Sequence, residues 1–392
     1  MQHPPLSRTV ASRTFVLTCA AFLAAGVILA SVGPTIPLLA TNTRSEVAAL
    51  GSLFTALSAG VVLAQGGVGW ASDRFGPRGV LAASMLLMGS GTLGVTVAPR
   101  LLALLAAALL LGLGFGGVLA AGNLLVARLF PTRGTTALNA VNLFFGVGAI
   151  LGPAIAGLAG AYLRAPQLAL WAGAGLLVAL APLIFRCAAR LPPAHSLPDV
   201  AGPSANRWAP WLLGVLLLVY VGTEVGFGGW LTLYMITSAK LDAGLAALVA
   251  SGFWLALTTG RALGAGLGFR LVPTMVLMIS LLGMLCGAAL LMLSVGGAAW
   301  SIVGVLLFGL SCGPVFPTVL ALVAGASRGS GVAASLVLAL GNSGGLVVPA
   351  LLGLLLTQSG AAAMAGLLLA DSLALVLLGT VIVRTSIVGR PA

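Results

Sequence analysis

The chain has 392 residues, 60% of them hydrophobic and 6% charged, with 18 basic against 6 acidic side chains and a mean hydropathy of +1.18. Soluble domains carry about 25% charged residues, so this composition excludes a soluble enzyme, a disordered chain and a secreted disulfide scaffold. What it describes is a polytopic membrane protein.

A bilayer core about 30 Å thick takes about 20 apolar residues per helix. With Gly, Pro and Arg as punctuation, the chain reads as twelve such runs: 14–40, 48–70, 80–98, 101–127, 136–162, 168–186, 210–236, 245–267, 272–295, 299–324, 331–356 and 361–383. The first is too long for a signal peptide and is read as a spanning helix. Between the sixth and seventh runs lies a Pro-, Ala- and Ser-rich stretch, 187–209, with the composition of a linker. It divides the chain into two six-helix halves, 1–186 and 210–392.

Orientation follows from the asymmetry of basic residues. A cytoplasmic N-terminus puts Arg8, Arg13, Arg74, Arg78, Arg128, Arg133, Arg186, Arg190, Arg207, Arg270, Arg328, Arg384 and Arg390 inside. It leaves Arg44, Arg100, Arg164 and Lys240 outside and Arg261 within a helix. Both termini are therefore expected in the cytoplasm, the chain spanning the inner membrane. The scattered basic residues form no patch for nucleic acid. Cys19, Cys187, Cys286 and Cys312 show no metal-ligand spacing, so neither metal nor cofactor is expected.

The halves repeat. A shift of 196 residues sets Gly148, Pro153 and Gly157 on Gly344, Pro349 and Gly353, and Arg74 and Pro77 on Arg270 and Pro273. A shift of 197 sets Gly112 and Gly116 on Gly309 and Gly313. Two parallel six-helix repeats joined by a cytoplasmic linker resemble the major facilitator architecture, an all-α fold of twelve helices in two pseudo-symmetric bundles. The loop after the second run, Gly69-Trp70-Ala71-Ser72-Asp73-Arg74-Phe75-Gly76-Pro77-Arg78, resembles that superfamily's signature, with proline in place of the first basic residue of its closing pair. The resemblance makes Asp73, Arg74 and Arg78 candidate gate residues. The second copy, Gly268-Phe269-Arg270, has no acid.

A narrower resemblance rests on Tyr220-Val221-Gly222-Thr223-Glu224-Val225-Gly226-Phe227-Gly228-Gly229-Trp230, Gly122-Asn123, Asn142-Leu143-Phe144-Phe145-Gly146, Gly260-Arg261, Phe316-Pro317-Thr318 and Gly341-Asn342-Ser343-Gly344-Gly345. Together these segments are similar to the fucose:proton symporters and their sodium-dependent glucose transporter relatives. The similarity implies a monomeric sugar transporter. Two departures leave the coupling ion open between proton and sodium: the first helix carries no acid, and Asn142 stands where the family often has His.

Inside the helices the ionisable residues are Glu224, Arg261 and Asp371. An acid at mid-membrane costs roughly 2.5–3.5 kcal/mol on insertion scales and is retained for a function or a partner. Glu224 is thus the candidate coupling carboxylate and a ligand for sugar hydroxyls. Arg261, placed about 12 Å shallower by helical rise, is expected to be a structural or gating charge that reaches Glu224 only if a helix bends or the Arg is extended. Asp371, on the twelfth helix, which is peripheral in the fold that the resemblance implies, is expected to be a snorkelling or structural group. A neutral sugar wants amide and carboxylate partners with an aromatic platform, which nominates Asn123, Asn142, Asn342, Trp230 and Tyr234, with Trp254 as a further platform candidate. Gly112-Leu113-Gly114-Phe115-Gly116-Gly117 is no nucleotide loop, because no Gly-Lys-Ser/Thr follows it. The expectation is gradient-driven sugar uptake without enzymatic chemistry. The alternative is a proton-coupled drug efflux antiporter, suggested by Gly148-x-x-x-Gly152-Pro153-x-x-Ala156-Gly157.

Overall fold

Without water to take up backbone N–H and C=O groups, each membrane crossing must satisfy them internally, and helices do so. The computed structural model describes residues 8–131, 133–187, 208–326 and 331–384, and every regular element in them is helical. The order is α1 (Arg8–Thr43), α2 (Gly51–Phe75), α3 (Pro77–Val97), α4 (Leu101–Leu129), α5 (Gly134–Leu163), α6 (Leu168–Cys187), α7 (Ala209–Ser238), α8 (Ala243–Leu267), α9 (Pro273–Leu293), α10 (Ala298–Cys312), α11 (Val315–Ala326), α12 (Gly331–Ser343), α13 (Val348–Gln358) and α14 (Ala361–Arg384). Twelve stretches are long and apolar enough to cross a membrane. They match the twelve expected runs, each of the last two pairs, α10–α11 and α12–α13, supplying one span. Both breaks sit on Gly and Pro: Gly313-Pro314 in the tenth span, and a 3₁₀ turn at Gly344–Leu346 before Pro349 in the eleventh. Most of the expected linker, residues 188–207, lies outside the described residues, as do Arg190, Arg207, Arg328 and Arg390 of the orientation argument.

Helix ends follow local chemistry. Gly76 joins α2 to α3 at φ +77°, a conformation that disfavours a side chain, and Pro77 then opens α3 with its preset φ. Asp242 caps α8 by accepting the Leu245 N–H at 3.0 Å.

The chain groups into two compact units, Met1–Ser45 with Ala56–Ser196, and Glu46–Thr55 with Leu197–Ala392. In the first, α1 packs on α5 and α6, and α3 on α4 and α6. In the second, α7 packs on α12, α13, α14 and α8, while α9 packs on α10 and α14. The short segment Glu46–Thr55 belongs to this second unit: Phe54 lies 5.7 Å from the Trp230 ring, and Thr55 Oγ1 donates to the Leu346 carbonyl at 2.7 Å.

Glycines set the crossings, because only a missing side chain lets helix backbones meet. A Cβ on Gly148 would strike the Leu23 carbonyl of α1, and one on Gly26 the Phe145 carbonyl of α5. In the second unit, a Cβ on Gly344 would strike the Leu218 carbonyl of α7, and one on Gly222 would meet Gly344 O at 2.8 Å. The α2–α4 crossing has the same likeness to α8–α10. Gly112 and Gly116 abut the carbonyls of Leu57 and Val61; Gly309 and Gly313 abut those of Phe253 and Leu257. Six of the eight glycines that mark the repeat in the sequence, Gly112, Gly116 and Gly148 with Gly309, Gly313 and Gly344, are thus contact points of equivalent helix pairs.

Candidate functional site

In the second unit the site begins with Glu224, at the middle of α7. It is 8% exposed, and its Oε1 lies 3.5 Å from Nη2 of Arg261 on α8. A buried carboxylate repays its lost hydration only by attraction to a cation and hydrogen bonding, and Arg261, itself half-buried, supplies that cation. The direct pair corrects the depth expected for Arg261. A Cβ on Gly228 of α7 would meet Trp254 of α8 at 3.1 Å. These antiparallel helices therefore set Arg261 level with a residue about one turn short of Glu224, or about 4.5 Å away. The expectation of 12 Å assumed that the helices end flush, whereas α7 begins well beyond the end of α8.

One turn before Glu224, the buried Tyr220 donates its hydroxyl to the Cys312 carbonyl at 2.8 Å, joining α7 to the end of α10. On the neighbouring face of α7, Thr223 Oγ1 lies 2.8 Å from the Val219 carbonyl and 3.0 Å from Oδ2 of Asp371. The contact ties Asp371 into the bundle as a structural group would be, and not as a side chain reaching for the membrane surface. The helix α14 packs directly on α7, and the half-buried carboxyl meets the residue adjacent to Glu224.

Trp230 and Tyr234 do not form a platform beside Glu224. Six and ten residues beyond it, they point about 120° and 80° away around a helix of 3.6 residues per turn. Trp230 is fully buried over Gly353 and donates its indole N–H to the Pro349 carbonyl at 2.8 Å. Tyr234 is fully buried and donates to the Leu291 carbonyl at 3.3 Å. Both tie α7 to its neighbours. Trp230→Phe and Tyr234→Phe are therefore expected to cost about 1 kcal/mol of stability each while leaving the solute KM within twofold. Thermal melting in detergent, compared with uptake kinetics, checks this.

In the first unit, Asn142 of α5 donates through Nδ2 to Asn123 Oδ1 of α4 at 3.1 Å and to the Leu138 carbonyl at 2.9 Å. The pair fixes both amide planes and leaves the Asn142 carbonyl oxygen as an acceptor and the Asn123 NH₂ as a donor for a third group. Asn142 is exposed and Asn123 half-buried. Asn342, half-buried in the last turn of α12, stands just before the 3₁₀ turn.

The signature loop is built from more than its own residues. Asp73 Oδ1 lies 3.4 Å from Nη2 of Arg128, in the last turn of α4, a residue the sequence presented only as an orientation charge. Arg74 stacks on Trp70 and Phe75 at 5.8 and 5.7 Å, and Arg78 on Phe185 of α6 at 5.5 Å. Within the first unit, then, Asp73 is held by Arg128 while both signature arginines sit against aromatic faces.

Comparison with known proteins bears on the whole chain. The family model of the Major Facilitator Superfamily matches residues 14–349. Sodium-dependent glucose transporter 1 of Homo sapiens is 25% identical over 339 residues, 77% of this chain and 65% of that protein. Its Rattus norvegicus counterpart is 33% identical over 155 residues, 39% of this chain and 32% of that protein. Sodium-dependent glucose transporter 1A of Mus musculus is 22% identical over 341 residues, 78% of this chain and 80% of that protein. The chain thus spans less than two thirds of the rat and human relatives. Among solved structures, a single-residue variant of the nucleoside transporter NupG superposes with a TM-score of 0.78 at 14% identity, covering 96% of this chain and 99% of that one. The transporter FucP in the outward conformation gives 0.64 at 18% identity, over 94% and 98%. At these identities the structural likeness establishes the fold.

Proposed function

Because the chain belongs to the Major Facilitator Superfamily, we propose that it is a secondary active transporter that carries a small neutral sugar into the cell across the inner membrane, with protons, by alternating access. The observation that carries this reading is the Glu224–Arg261 pair, a buried carboxylate at the middle of α7 held by a single cation at 3.5 Å. A carboxylate in that position has two states. Deprotonated, it holds Arg261; protonated, it releases Arg261 and becomes a neutral donor for a solute hydroxyl. Binding that depends on the proton in this way links the two gradients. The Asn123–Asn142 pair supplies the amide donor and acceptor that neutral sugars require, and the names of the curated relatives, which are sodium-dependent glucose transporters, favour a hexose. In the same reading both termini face the cytoplasm, where the 13 arginines counted above would lie, and the two six-helix halves act as the two bundles.

The efflux alternative loses its support in α5. Gly148 and Gly152 of the antiporter-like pattern abut the Leu23 and Val27 carbonyls of α1, and Gly344 plays the same part against α7. A pattern explained by helix crossing in both halves is no sign of antiport.

The test is uptake of labelled hexoses into proteoliposomes under an inward proton gradient, an inward sodium gradient, or neither. Stimulation by the proton gradient is the expected result. Stimulation by sodium alone would reassign the coupling ion, and the absence of hexose flux in all three conditions would overturn the sugar reading.

A further inference from the structure

Along α8, Ser251, Trp254, Thr258 and Arg261 recur at spacings of three, four and three residues and so form one stripe of the helix. Two contacts aim that stripe at α7. Arg261 meets Glu224, and the benzo edge of Trp254 (Cζ2 and Cη2) lies 3.1 and 3.6 Å from where a Cβ on Gly228 would stand. Gly228 is one turn beyond Glu224, so the two contacts run in register up an antiparallel pair. Phe253 packs edge-on against the indole, ring to ring at 5.3 Å, and its Cε1 reaches the same Gly228 position at 3.4 Å. The ring is thus seated, and its Nε1, two bonds from the Cζ2 that meets Gly228, cannot turn freely.

That Nε1–H is buried, Trp254 being 9% exposed, and has no acceptor among the described residues. The contrast with other tryptophans is sharp: Trp230 donates to Pro349 and Trp171 to Thr96 Oγ1 at 3.0 Å. A buried donor without a partner costs about 1–3 kcal/mol, and native proteins rarely leave one without a use. Five further donors among the described residues share the condition, and two of them lie nearby. Ser251 Oγ, one turn from Trp254, and Thr232 Oγ1, one turn from Gly228, are buried without partners and lie on the same side of the Gly228–Trp254 contact. The facing strips of α7 and α8 therefore carry an ion pair and an indole N–H, with the Ser251 and Thr232 hydroxyls one turn further along each helix.

We propose that Trp254 is a solute-binding residue whose indole N–H donates to a hydroxyl or ring oxygen of the transported sugar, next to Glu224 and Arg261. The inference rests on the sugar-transport reading. The N–H is closed off in this conformation and open to solute in another. The unpaired donor raises the energy of the closed state, and the sugar lowers that of the open one, so the contact favours binding in the conformation that exposes it.

The experiment measures uptake by Trp254→Phe, which keeps a ring and deletes the N–H, for the transported hexose and its series of monodeoxy analogues in proteoliposomes. The expected result is a KM about three- to tenfold higher, the loss of one hydrogen bond. One deoxy position should cost the native protein that same factor and cost the variant nothing, while the other positions keep their penalties in both. A ring that serves packing alone would leave the deoxy profile intact, and that outcome overturns the proposal. Gly228→Ala, which keeps the N–H but displaces its seat, is expected to raise the KM in the same direction and to blunt the same deoxy position; it serves as the test if Trp254→Phe does not fold. A native protein that moves no hexose overturns the sugar reading and this inference with it. Native uptake with an unchanged Trp254→Phe profile overturns this inference alone.

Discussion

Glu224→Gln is expected to abolish gradient-driven accumulation of the solute while leaving exchange between equal pools intact. One pH unit is worth 1.36 kcal/mol, so a carrier taking one proton per sugar holds about a tenfold concentration ratio under that gradient. The variant should fall to a ratio of about one. The argument lies in what glutamine can imitate. Its amide has the shape and neutrality of a protonated carboxyl, so a loaded carrier can still bind solute and change conformation. It cannot become the anion that Arg261 holds at 3.5 Å, so the empty carrier loses the state in which the proton has left. Exchange needs only the loaded half of the cycle; accumulation needs both. Counterflow of labelled hexose, set beside uptake under an imposed pH step, separates the two. If Glu224→Gln accumulates as the native protein does, coupling lies elsewhere. Asp371 of α14, which meets Thr223 next to Glu224, then becomes the group to neutralise.

Much of the fold was readable because lipid imposes a length. Twelve apolar runs had to be helices, and their ends in the structure fall within a few residues of where Arg, Gly and Pro punctuate the sequence. Hydropathy is blind to a break inside an apolar run, so the interruptions at Gly313-Pro314 and Gly344–Leu346 were visible only as residue types. In the site, Glu224 stood out because an acid in an apolar helix needs a reason. Its partner was misjudged in depth, since the relative overhang of two helices is a tertiary fact that no single segment carries. Trp230 and Tyr234 show a different limit. Residue type named them as sugar platforms, but an indole or phenol serves packing equally well, and what decides is where its donor goes. Their spacing from Glu224 already set them on other faces of α7. Trp254 became informative through a hydrogen bond that is missing, and Arg128 by lying across from Asp73 on another helix. Neither signal exists in one dimension.

Gly148→Val and Gly344→Val are each expected to destabilise the protein by about 3 kcal/mol or more, the upper end of what overpacking costs, and to abolish the monodisperse peak on size-exclusion chromatography. The magnitude follows from what the new side chain would strike. At Gly148 it is the Leu23 carbonyl of α1, and at Gly344 the Leu218 carbonyl of α7. A side-chain neighbour can rotate aside; a backbone oxygen inside a helix cannot move without its helix. The whole α1–α5 or α7–α12 contact would have to open, including the matching approach of Gly26 or Gly222. Gly67→Ala is the control. A Cβ there meets nothing within 4 Å, and alanine in a helix is favoured over glycine by about 0.5–1 kcal/mol, so this variant should be as stable as the native protein or slightly more so. Equal damage at Gly148 and Gly344 would mean that the repeat preserves the crossings because each bundle depends on them to the same degree. Damage at Gly344 alone would place the structural burden on α7, the helix that carries Glu224, and would make the second bundle the one whose packing transport cannot do without.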